Sequence, residues 1–100
     1  MTYWYFRFEG RFNDRSPEYG CKGVFSSCMV PASVHRRAKS AFLQSLKEEG
    51  IELIEILEHF AVDAEELDAA DQANRFWIEW YEKTKKAGKP VFDKYQVFDE

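Results

Sequence analysis

Apolar and polar side chains alternate at the start of the chain: Trp4, Phe6 and Phe8 fall on one side of an extended segment, Tyr3, Tyr5, Arg7 and Glu9 on the other. Nearly every residue from Tyr3 to Phe8 is aromatic, which predicts a strand with its even face inward. "GRFNDRSPEYG", Gly10 to Gly20, then gathers the residue types that turns need for their dihedral angles or local hydrogen bonds, and reads as the loop of a long hairpin. A second strand is expected from Tyr19 to Val30. In it Val24, Ser26, Cys28 and Val30 alternate against Phe25, Ser27 and Met29, and Pro31 ends it through its missing N–H.

The period then lengthens. Val34, Ala38, Ala41, Phe42 and Ser45, with Leu46 beside them, mark the buried stripe of a helix starting near Val34, capped by Ser33 and closed at Gly50. "IELIEILEHFAV", Ile51 to Val62, returns to strand composition. It carries Ile51, Leu53 and Leu57 on one face and Ile54, Ile56 and Phe60 on the other, which predicts a central strand. Asp63 and Glu66 have the spacing of a capping box, and Leu67, Ala70, Asn74, Trp77, Tyr81 and Thr84 trace a second helix of about 24 residues toward Gly88. A last strand follows Pro90 in "PVFDKYQVFDE".

Strand, strand, helix, strand, helix, strand, without repeat or linker, predicts one α+β domain over residues 1–100. The simplest build is a two-layer sandwich, a four-stranded mixed sheet with both helices on one face. A ferredoxin-like arrangement is the nearest alternative, but it needs a helix where Gly10 to Gly20 offers only turns. The uncovered face would expose Tyr3, Tyr5, Phe25, Met29, Leu53, Leu57 and Tyr95, and so much apolar surface calls for a cover, expected to be a second copy in a homodimer.

Charge narrows the partners. Eighteen acidic residues against 14 basic ones give a formal charge of −4, which disfavours nucleic acid and suits a basic protein partner. No apolar run approaches the ~20 residues a membrane helix needs, and the N-terminus lacks the features of a secretory leader, so a soluble cytoplasmic protein is expected. Cys21 and Cys28 point to opposite faces of one strand and should stay reduced.

Chemistry-bearing patterns are sparse. Neither Cys-x-x-Cys nor His-x-x-x-His spacing occurs, and no nucleophile sits beside a base, so no catalytic residue, metal or cofactor is expected. Glu52, Glu55 and Glu58 look like a carboxylate cluster, yet strict alternation sets Glu55 apart from the other two.

One stretch breaks a rule. "SVHRRAK" puts cations at a helix start, where each opposes the macrodipole by ~0.3–1 kcal/mol. Ser33, His35, Arg36 and Arg37 are therefore a candidate anion site, against the plainer reading of solvated side chains. The expected function is a non-catalytic interaction or regulatory module acting as a homodimer, of a size and charge like the small acidic proteins that neutralise a basic toxin or nuclease. The alternative is an anion- or small-molecule-binding domain, with or without catalysis, whose site lies at that helix start.

Overall fold

A computed structural model describes residues 2–13, 23–63 and 70–98. Along them run β1 (Thr2–Phe12), β2 (Gly23–Ala32), α1 (His35–Glu48), β3 (Ile51–Val62), α2 (Gln72–Ala87), β4 (Val91–Phe92) and β5 (Gln96–Phe98), an α+β fold as expected. The sheet order is β3, β1, β2, β4, with β5 also paired to β2. Among the described residues every pairing is antiparallel, not mixed. β2 and β3 flank β1 and so run parallel to each other, but β1 lies between them and no parallel ladder forms.

β1 passes through Gly10 instead of turning there. The rest of the expected loop, residues 14–20, lies outside the described residues, as does the expected start of the second strand up to residue 22. β2 likewise continues through Pro31, at a level where β4 has already ended at Met29 and β2 borders β1 alone, the kind of edge position proline tolerates.

β3 is an edge strand, not a central one. Its pairing with β1 shifts register between Arg7 and Phe8 and again between Glu9 and Gly10, leaving Leu57 and Ile54 as the extra residues of two bulges. Each bulge reverses the parity of the residues beyond it. Ile51, Leu53 and Ile56 therefore all oppose inward residues of β1, while Ile54 and Leu57 are exposed. Bulging thus accounts for Ile54 and Leu57, whereas Phe60 opposes Tyr5 on the other face and lies 6.1 Å from Trp77 of α2.

The even face holds the main core. Phe6, Phe8, Phe12, Val24, Cys28 and Val30 are buried against Ala38, Phe42 and Leu46 of α1, and the rings of Phe6 and Phe42 stack at 4.6 Å. α1 begins after Val34, an extended residue that supplies no side-chain cap, so Ser33 is not the cap expected. Together α1 and the sheet make a two-layer sandwich.

α2 packs on the opposite face, which corrects the expectation of both helices on one side. Tyr3 meets Tyr81 edge-on at 4.6 Å, and Tyr5 lies 5.1 Å from Trp77 and 5.9 Å from Trp80. Because α1 already occupies the even face, the aromatic end of the odd face supplied the remaining surface on which an amphipathic helix could be buried. Trp80 fixes the docking by donating its Nε1–H to the Val91 carbonyl at 3.0 Å. α2 starts at Gln72, where Asp71 accepts from the Ala73 N–H, and ends at left-handed Gly88. It has 16 residues instead of the expected stretch from Asp63; Glu66 and Leu67 lie outside the described residues.

The expected fourth strand is broken in two. β4 pairs Val91 and Phe92 with Met29 and Cys28, and β5 pairs Gln96 and Val97 with Phe25 and Val24. Between them the Asp93 N–H donates to the Ser27 carbonyl at 2.9 Å, and the Ser26 hydroxyl lies 3.2 Å from the carbonyls of both Asp93 and Lys94.

Candidate functional site

The half of the odd face that α2 leaves open is polar. Beyond Tyr5, strand alternation sets Arg7, Glu9 and Arg11 on this side of β1, and the β3 bulges set Glu58, Glu55 and Glu52 directly opposite them. All three carboxylates thus share a face, contrary to the strict-alternation reading. Arg11 and Glu52 approach to 3.9 Å on the exposed surface, a pair of little energetic weight.

Where this surface meets the β4–β5 break it forms a cleft of about 220 Å³. β1 contributes Tyr5 and Arg7, β2 contributes Phe25 and Ser27, and the break contributes Asp93, Lys94 and Gln96. The Tyr5 and Ser27 hydroxyls lie 3.1 Å apart, which fixes both at the floor. Around them stand a guanidinium, an ammonium, a carboxylamide and one carboxylate, a lining with one more positive than negative group in a chain of formal charge −4. Such a set donates many hydrogen bonds to an anionic oxygen and retains one acceptor for a cationic or hydroxyl group.

No family model, curated protein or solved structure matches the chain. What the cleft does must therefore be read from its own residues.

The residues singled out in the sequence fall elsewhere. Arg36 and Arg37 are exposed on α1, whereas His35 turns its ring inward to 5.2 Å from Trp4, and Ser33 is exposed. These side chains do not gather around one point. Of the expected interface, Tyr3, Tyr5 and Met29 are packed against α2. Leu53 and Tyr95 belong to the core on the even face. Phe25 lines the cleft, and Leu57 projects from a bulge. The chain itself thus covers the aromatic surface that had called for a second copy. Among the described residues no helix is long and apolar enough to cross a membrane.

The cleft was only partly legible. Alternation alone puts Tyr5 and Arg7 on one face, but nothing in "VFDKYQVF" announces that a strand breaks there and turns Asp93, Lys94 and Gln96 toward Ser27.

Behind the sheet, Cys28 is inert. Burial, reinforced by the charge of Glu49, pushes its thiol far up, so the nucleophilic thiolate does not form near neutrality. Burial likewise pushes the Tyr95 phenol up to about 12, with smaller contributions from Glu49 and Cys28. Both groups hold their protons more tightly when folded than when unfolded. Their contribution to stability is complete below the ordinary thiol and phenol values and is lost as pH rises toward the folded ones. Thermal melts between pH 8 and 12 are expected to show the midpoint falling steeply above about pH 9–10, and less steeply in Tyr95→Phe; a flat alkaline limb would contradict the burial of both groups.

Proposed function

We propose that this chain is a binding domain for a small anionic ligand, a carboxylate or phosphate compound that also carries a hydroxyl or amino group, seated in the cleft on the open half of the sheet. The convergence of Arg7 and Lys94 on the Tyr5–Ser27 hydroxyl pair is the observation that carries this reading. Arg7 and Lys94 hold the anionic group, the Tyr5 and Ser27 hydroxyls and Gln96 orient it, and Asp93 receives a donor from the far end of the ligand.

The start of α1 is the second place for an anion, through Arg36 and Arg37 beside free helix amides. Calorimetric titration with inorganic phosphate and with succinate separates the two. Binding by the native chain is expected to weaken at least about tenfold in Arg7→Ala/Lys94→Ala, at unchanged melting temperature, and to persist in Arg36→Ala/Arg37→Ala. The reverse pattern moves the site to the helix, and no saturable heat with either anion removes the reading. A basic protein partner would find its complement in Glu52, Glu55 and Glu58 beside the exposed Leu57, not on the aromatic face that α2 covers.

A further inference from the structure

The two histidines, distant in sequence, meet in the fold. β3 sets His59 opposite Phe6, and α1 opens with His35, whose ring lies 5.0 Å from that of His59 at an interplanar angle of 38°. Trp4 and Phe6 border the His35 ring at 5.2 and 5.9 Å. His35 Nε2 is buried and, among the described residues, has no hydrogen-bond partner. A buried polar atom left unpaired is unfavourable and calls for an explanation.

A metal ion provides one. An imidazole nitrogen binds zinc at ~2.0–2.1 Å, which puts the ion about 3.2 Å from the ring centre. Were one nitrogen of each ring turned to a common ion, ring centres 5.0 Å apart would subtend roughly 100° there, close to the angle of a tetrahedral site. His59 is exposed on the edge strand, so an ion has a path from solvent.

We infer that His35 and His59 form a two-imidazole site for a divalent transition metal of the copper and zinc class, with water in the remaining positions. Among the described residues no third histidine, cysteine or carboxylate joins them. Nitrogen-only ligation favours Cu²⁺ over Zn²⁺ and gives little hold on Ca²⁺ or Mg²⁺, which require oxygen. The ion ties the start of α1, which has no side-chain cap, to the outer edge of the sheet.

The test uses the full chain without a histidine tag, titrated with CuCl₂ and separately with ZnCl₂. Cu²⁺ is expected to quench tryptophan emission saturably through Trp4, and both ions to raise the melting temperature, while CaCl₂ does neither. His59→Gln, at an exposed position that the fold does not need, should weaken the apparent affinity by about tenfold or more for both readouts. His35→Gln should do the same, and Trp4→Phe should lose most of the quenching but keep the rise in melting temperature. Electron paramagnetic resonance of the Cu²⁺ complex should show imidazole nitrogen coupling that disappears in His59→Gln. Equal titrations for the native chain and His59→Gln, or no saturable response to either ion, would overturn the site.

Discussion

Phe42→Ala is expected to lower the unfolding free energy by ~3–5 kcal/mol, a large share of the ~5–15 kcal/mol that holds a domain of this size together. Phe42 has no exposed surface. Its ring stacks on Phe6 at 4.6 Å and meets Phe8 edge-on at 5.3 Å, so one side chain of α1 engages two successive inward residues of β1. Alanine would remove those contacts and leave a cavity that rigid neighbours cannot collapse to fill. Phe42→Leu retains much of the volume and should cost about half as much or less. Urea denaturation with an unchanged slope is the measurement. A loss below about 1 kcal/mol for the alanine variant would mean that α1 is not docked through this ring.

Gly10→Val is expected to cost ~2–4 kcal/mol, for a reason unrelated to backbone dihedrals. The described glycines with left-handed φ are Gly50 and Gly88, at 73° and 66°, while Gly10 lies in regular β1. Its constraint is space. A Cβ there would come within 2.6 Å of Ile51 Cγ2 and 2.9 Å of the Glu52 carbonyl oxygen. The first atom sits on a stiff, buried β-branched side chain, and the second is backbone, held at the place where β3 bulges against β1. Gly10→Ala should therefore destabilise as well, though less, whereas glycine in an ordinary strand interior is improved by alanine. Adding Ile51→Ala should recover part of the loss in a double-mutant cycle. A more stable Gly10→Ala would show that the strands do not approach as closely as this.

The same bulges explain where reading from the chain succeeds and where it stops. β1 alternates without interruption, so Phe6 and Phe8 on one face and Tyr5 and Arg7 on the other follow directly from period two. The stripe of Ala38, Phe42 and Leu46 follows as directly from helical period. β3 resists the same treatment. Two inserted residues change the parity, and the insertions answer to the partner strand, which no local pattern within "IELIEILEHFAV" contains. Glu52, Glu55 and Glu58 thus gather on one face, although simple counting divides them.

Residues remote in the chain meet for a similar reason. His35 and His59, or Ser27 and Lys94, are neighbours because strand register and helix docking bring them together, and neither spacing carries a signal that a motif could use.

The order of side chains by itself determined which segments become strands and helices and, β3 apart, which side of each is apolar, since burial rewards a period matched to the local geometry of the backbone. Which side of the sheet α2 would cover, and that β3 would end at an edge, only the tertiary structure decided. An apolar stripe specifies that it must be buried but not against what, and that choice depends on which surfaces the rest of the chain has already filled.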